Sequence, residues 1–415
     1  MSLFPIIGAV QNYAWGKFGS SSAVAQFAHD NDPSVVIDES QPYAELWMGT
    51  HPKAPAVLSQ DKAKKLSDVI SSDPVKYLGK SVVEKFHSKT ELPFLFKVLS
   101  INKVLSIQAH PDKSLGAQLH ADDPQHYPDS NHKPEMAVAL TDFEAFCGFK
   151  PLDEIDQLLQ KIPEFKEIVG SDLAAKFHES AAERKSLLRS VFAAVMTTPE
   201  ESISNYAAKL VERTHKQPEL FGPVLADLIQ RLNVQFPGDV GLFCGCLMLN
   251  HCNLKSGEAM FLQAKEPHAY ISGDIMECMA ASDNVIRAGF TPKFKDVKIL
   301  VSSLTYSTDP VEDQKQKPAA FPRGSGDAEF ALYDPPIDEF SVLQIKFKKA
   351  GSASIKGIHG PSIVIVTGGS GEISIQGQKG LKASTGGIFF VGAETEVALK
   401  TEGEFTLYRA FCEAE

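Results

Sequence analysis

Three short segments carry donors that suit a divalent metal. In Ser106-Ile107-Gln108-Ala109-His110-Pro111-Asp112-Lys113 an apolar, strand-like run leads into two of them. Side chains alternate faces along an extended chain, so Gln108 and His110 point the same way, and Ser106 shares their face. In Asn131-His132-Lys133-Pro134-Glu135-Met136-Ala137-Val138 the same spacing relates Lys133 and Glu135, again leading into a strand. The third segment is Lys265-Glu266-Pro267-His268-Ala269-Tyr270-Ile271-Ser272-Gly273-Asp274, where Pro267 fixes the backbone ahead of His268 and Gly273-Asp274 supplies a turn. Pairing of the first two strands would set Glu135 beside His110. Two imidazoles, one carboxylate and one carboxamide oxygen make a tetrahedral or five-coordinate site with a position left open. Nitrogen and hard oxygen without thiolate suit zinc, and manganese, iron or cobalt would accept the same donors. The chain has twelve histidines, so a surface or hydrogen-bonded core histidine is the competing reading of each, and spacing alone leaves both open.

The elements that must hold these donors follow from the pattern. From Met1 to about Pro151, strand-like pieces such as Leu92 to Leu99 and Val104 to Ile107 alternate with turn residues. Between about Leu152 and Leu249 the period changes. Ile155, Leu158, Leu159 and Ile162 recur at three- and four-residue spacing, as do Leu187, Leu188, Val191, Phe192 and Val195, which predicts about four amphipathic helices. Asp153 is a candidate cap, Thr198-Pro199-Glu200-Glu201 a first turn, and Phe221-Gly222-Pro223 a third start. Strand texture resumes at Ala259 to Leu262 and returns in Ser362 to Val366 and Glu372 to Ile375, with Gly368-Gly369 and Gly386-Gly387 read as turns. Glu312 to Pro322 followed by Gly324-Ser325-Gly326 is the best linker candidate. The expected fold is mainly β with an α insertion: two cupin-like jelly-roll β domains plus an inserted helical domain. The expected boundaries are 1–151 with 250–315 for a discontinuous catalytic domain, 152–249 for the insertion and 327–415 for the second β domain.

Composition narrows the function classes. A chain of 415 residues, 43% hydrophobic, holds enough apolar material for two or three cores. A net charge of −11 argues against a general nucleic-acid or membrane-surface binder, so any anionic ligand must meet a local cationic patch. Six cysteines are too sparse for a disulfide scaffold and are read as reduced. Neither a secretory signal pattern nor a membrane-length apolar run is evident, which makes the cytoplasm the expected location.

Five motifs occurring in order resemble those of the type I mannose-6-phosphate isomerases. They are Gln11-Asn12-Tyr13-Ala14-Trp15-Gly16, Tyr43 to Pro52, Ser106 to Lys113, His132 to Glu135, and Arg287-Ala288-Gly289. The resemblance spans essentially the whole chain. It implies a cupin catalytic domain, a helical insertion and a second cupin-like domain. It also implies interconversion of mannose 6-phosphate and fructose 6-phosphate, serving mannose donors for glycosylation and cell-wall polysaccharide, or mannose catabolism. It further implies one Zn2+ per chain, held by Gln108, His110, Glu135 and His268. The expected partner is a small sugar phosphate, with no nucleic acid and no membrane, and the expected state a monomer.

Aldose–ketose isomerisation moves a proton between C1 and C2 through an enediolate. A metal with one anionic protein ligand keeps positive charge to steady it, and Gln108, donating a neutral oxygen, would keep the anionic count at one. Proton carriers near the motifs are Glu277, Asp283, His132, Lys133 and Lys293; Glu277 or Asp283 is preferred, with Lys133 assisting at the oxygens. The resemblance puts Arg287 in the active site, and an ion pair with Asp283 four residues earlier is the structural alternative. For the phosphate, Ser106 and Lys97 are the first choices, with Lys133 and Lys293 as further cations. Trp15 and Tyr270 are candidate walls of the sugar pocket, and Trp47 a core residue. Glu45 is either a partner of a metal-bound histidine or half of a buried ion pair. A cupin Fe(II) oxygenase shares two histidines and a carboxylate, but Gln108 and the cation cluster speak against it. A binding cupin with a vestigial metal site would show broken ligands. After residue 327 the only histidine is His359, so the last domain is expected to lack a metal and to serve packing.

Overall fold

The computed structural model describes residues 2–414. The chain forms two large antiparallel sheets, of 11 and 12 strands, and a helical segment inserted between two strands of the first. The 11-stranded sheet is organised around one 13-residue strand, His268–Ala280. Its second half lies between Phe94–Ile101 and Glu135–Ala139; its first half pairs with Phe143–Phe149 and, at His268, with Gln108–Ala109.

Period-2 alternation separates the two faces of this sheet. Phe96, Val98, Met136, Val138, Met276 and Cys278 pack into a core shared with Ile363, Ile365, Tyr408 and Ala410 of the 12-stranded sheet. Those four alternate with Val364, Val366 and Leu407, which face a separate C-terminal core. Each such aliphatic side chain, fully buried, stabilises by about 1.5–3 kcal/mol, so the second β domain is docked through a large apolar face. The opposite face of the first sheet carries Lys97, Glu135 and Glu277, and these lie inside.

Among the described residues seven α-helices run from Leu152–Lys161 to Gly241–Cys244, more than the four expected. Breaks at Pro163 and at Gly170, whose φ is 90°, divide what periodicity alone reads as longer helices. Glu200–Lys216 and Gly222–Gln235 begin where their start signals lie. Asp153 does not cap: Pro151 is the N-cap, and Asp153 lies in the first turn, paired with Arg184. The helical core reaches the sheet through Ile107, Ala109, Ala269, Ile271 and Ile286.

Four local expectations are corrected. Val104 to Ile107 is not a strand; Leu105 N–H donates to the Tyr270 carbonyl and Ile107 N–H to that of Gly289, without a ladder. Gly273-Asp274 and Gly368-Gly369 are not turns but lie inside the continuous strands His268–Ala280 and Ser362–Ser374. Gly273 has φ 114° and a Cβ there would stand 2.5 Å from the Asp142 carbonyl; Gly369 has φ 77° and faces Glu404 as closely. The ladder slips by a residue near both, as a bulge requires. The stretch from Glu312 is also no free linker, since Lys315–Gln316 adds a strand beside Ala259–Leu262. Finally, Leu3–Ile7 belongs to the C-terminal sheet, pairing with Ile388–Val391 and with Val57–Leu58.

Candidate metal centre

Gln108–Ala109 is a two-residue strand placed between His268 and Arg287, with Gln108 in register with both. Because Ile107 and Ala109 face the helical core, Gln108 and His110 turn the other way, into the first sheet's interior. Glu135 opens the strand Glu135–Ala139, which does not pair with Gln108–Ala109 as the sequence suggested but shares with it the central strand, and His268 starts that central strand. His110, Glu135 and His268 are all buried, and one ligating atom from each lies within 4.8 Å of the others.

Hydrogen bonding fixes which imidazole nitrogen is free. His110 Nδ1–H donates to the Asn284 carbonyl at 2.7 Å and His268 Nδ1–H to that of Glu266 at 3.0 Å. A carbonyl only accepts, so Nδ1 carries a proton in both rings and Nε2 is the atom each ring presents to the cluster. They are directed at Glu135, 3.2 Å from Oε1 and 3.4 Å from Oε2. Among the described residues His268 Nε2 is buried with no hydrogen-bond partner, and the Gln108 carboxamide nitrogen lies 3.5 Å from His110 Nε2. Burial pushes the His110 pKa down to about 4, which holds the ring neutral. Burial alone would raise the Glu135 carboxyl, but Lys133 and His110 outweigh it and hold it well below the usual carboxylate range. Two imidazoles presenting Nε2, one of them orphaned and buried, and an ionised carboxylate form a donor set that fits a divalent cation.

Behind the cluster runs a buried polar chain. Tyr270 O–H reaches Glu135 at 3.5 Å. Lys97 Nζ sits 3.1 Å from Glu277 and 3.3 Å from Glu45, over the Trp47 ring, whose Nε1–H donates to Glu45. Burial disfavours the Lys97 charge, yet Glu45 and Glu277 prevail and raise its pKa. Glu277 is raised by burial despite Lys97, with Glu135 and Glu45 adding to the shift.

The remaining candidates separate by place. Lys97 is enclosed by two carboxylates and an indole, which leaves no open face for a phosphate. Glu45 forms the buried ion pair and touches neither histidine of the cluster. Asp283, the other preferred base, is half-exposed; burial would raise it, but Lys53 at 2.6 Å holds it below the usual range. It does not pair with Arg287. Among the described residues Arg287 forms no ion pair, and burial lowers its pKa with only Tyr127 opposing. Lys133 Nζ lies 3.1 Å from Glu135, and Ser106 O–H donates to Gln108 at 3.3 Å. His132 turns away from the cluster to Glu339. Lys293 is exposed and, among the described residues, forms no ion pair; Trp15 is half-buried against the Leu99 and Tyr270 cluster, stacked on Tyr13. Sequence reasoning missed Asn284 and Glu266, which act through backbone carbonyls that no side-chain pattern reveals, and Glu339, which lies more than 200 residues from its partners.

Comparison with known proteins agrees with this arrangement. Residues 3–152, 166–249 and 331–378 match, in order, the catalytic, helical insertion and C-terminal domains of phosphomannose isomerase type I. The chain is 65% identical to the mannose-6-phosphate isomerase of Ogataea parapolymorpha and 58% identical to that of Saccharomyces cerevisiae, over 99% of each chain. It aligns over its whole length with a crystal structure of mannose 6-phosphate isomerase bound with zinc and yttrium, at TM-score 0.84 and 32% identity. The Salmonella typhimurium enzyme bound to fructose 6-phosphate and zinc gives the same values. Buried donors held in one tautomer, the same domain order and end-to-end identity converge: the chain belongs to the type I phosphomannose isomerase family.

Proposed function

We propose that this chain interconverts mannose 6-phosphate and fructose 6-phosphate by proton transfer between C1 and C2 through an enediolate. The observation that carries the reading is the buried His110, Glu135 and His268 cluster, backed by a raised carboxyl and flanked by an unpaired guanidinium. Gln108, His110, Glu135 and His268 would hold one zinc ion per chain. Bound there, the ion supplies Lewis acidity toward the carbonyl and hydroxyl oxygens at C1 and C2.

The protein's own groups carry the proton. Glu277 is the favoured base, because burial raises its carboxyl even beside Lys97, whereas Asp283, held below the usual range by Lys53, is a weaker acceptor. Glu277 takes the proton from one carbon and returns it to the other. Lys133 donates toward the substrate oxygens, and Arg287, free of any carboxylate partner, opposes charge developing on the enediolate. Ser106 and Lys293 remain the phosphate candidates, and Trp15 and Tyr270 the walls. In this reading the enzyme acts as a cytoplasmic monomer serving mannose donors or mannose catabolism. Among the described residues no helix is long and apolar enough to cross a membrane.

The test is a coupled assay on mannose 6-phosphate before chelation, after chelation and after zinc is restored. Activity that disappears and returns supports the reading. A chain that stays inactive with zinc restored, or one that consumes oxygen instead, overturns it.

A further inference from the structure

Glu339 precedes the strand Ser341–Phe347 of the C-terminal β domain and is only 3% exposed, although no chemistry has been assigned to it. Its Oε1 accepts a hydrogen bond from His132 Nε2–H at 2.5 Å and lies 3.2 Å from Lys113 Nζ. His132 stands three residues before Glu135. Lys113 stands three residues after His110 and opens the helix Lys113–Asp122. One carboxylate oxygen therefore grips both segments that carry metal donors from this side of the site. Burial alone would raise Glu339, but His132 outweighs it and holds the carboxyl at about 2, so it is ionised.

The grip has a directional consequence. A residue before proline is held extended, so Pro134 fixes Lys133 in that conformation. Neighbouring side chains on an extended segment point to opposite sides. With His132 anchored outward on Glu339, Lys133 turns inward, where its Nζ meets Glu135 Oε1 at 3.1 Å. We propose that Glu339 is a positioning residue for the isomerase site: through His132, and secondarily Lys113, the C-terminal domain sets the register of Lys133 and Glu135. This rests on the isomerase reading above. It makes His132 part of the anchor and not a proton carrier, and it gives the second β domain a role beyond packing.

The test compares E339A, H132A, the double variant and E339Q in the full-length zinc enzyme, reading kcat, KM, the rate of zinc loss to a chelator and the thermal midpoint. E339A and H132A should each lower kcat and speed zinc loss, both on the order of 10-fold, with KM little changed. The double variant should be no worse than either single one, because the two side chains act as a unit. E339Q keeps an acceptor and should fall between wild type and E339A; if E339A does not fold, a kcat loss in E339Q at an unchanged midpoint carries the proposal. It is overturned if E339A or E339Q changes only the midpoint, if the losses multiply in the double variant, or if H132A is far more damaging than E339A. A wild type inactive on mannose 6-phosphate would instead sink the functional reading.

Discussion

Replacing Lys97 by Met removes the cation shared by Glu45 and Glu277 while keeping the stem that packs against Trp47. Both carboxylates stay buried, Glu45 at 8% and Glu277 at 3% exposure. Removing one partner of a buried pair costs about 3–5 kcal/mol. If the 415 residues unfold together with an entropy near 2 cal/mol/K per residue, that lowers the thermal midpoint by about 3–6 °C. The pH dependence has a definite sign. The Lys97 pKa is raised, so in the wild type its contribution is complete below the ordinary lysine range and fades only as pH rises beyond it. Nothing of it is lost between pH 5.5 and 7.5. In the variant Glu277, already raised, is lifted further and takes up a proton as pH falls, so the deficit should shrink toward pH 5.5. Differential scanning fluorimetry of both proteins at the two pH values measures this, and the double variant K97M/E277Q should regain most of the loss. A midpoint change under about 1 °C at pH 7.5, or a deficit that grows on acidification, would refute the reasoning.

Arg287→Met should lower kcat/KM by about 10- to 150-fold, the worth of one charge-assisted hydrogen bond, in the coupled isomerase assay. Its thermal midpoint should stay near wild type, because Arg287 holds no ion pair; unchanged kcat/KM would remove Arg287 from the chemistry. Glu144 accepts from His251 at 2.7 Å, Arg231 at 2.7 Å and Ser272 at 3.1 Å; burial would raise it, but His251 and Arg231 prevail and hold it at about 2. A depressed carboxyl stabilises above its usual value of 4.5 and loses that contribution as pH falls through about 2. Glu144→Gln should therefore cost about 1–2 kcal/mol at pH 7 in urea unfolding, with the gap closing below about pH 4; a gap independent of pH would show that the charge does not matter.

Legibility in the sequence divided along physical lines. Period-2 alternation placed Gln108 and His110 on one face, since local backbone geometry alone decides it. The apolar face of each strand was equally readable. Long-range pairing was not. The sequence makes Lys97 a first choice for the phosphate, and only the register Glu277↔Lys97 shows the partner that encloses it. Asp283 stood four residues from Arg287 but is drawn to Lys53. The helix boundaries failed where Pro163 and Gly170 interrupt a repeat that continues in phase across the breaks. Gly273 and Gly369 were misread for one reason: a glycine at positive φ serves a bulge as well as a turn, and composition does not distinguish them.

The pairing of Leu3–Ile7 with Ile388–Val391 bears on how the chain is made. Leu3 meets Val391 across 388 positions of sequence. At about 5–20 residues per second the strand leaves the ribosome roughly 20–80 seconds before its neighbour exists. During that interval Phe4, Ile6 and Ile7 form an apolar edge with open backbone donors and acceptors, a template for pairing with other nascent copies. The 12-stranded sheet therefore closes only after Ile388–Val391 has been made, and until then Leu3–Ile7 can be covered along one edge alone, by Val57–Leu58.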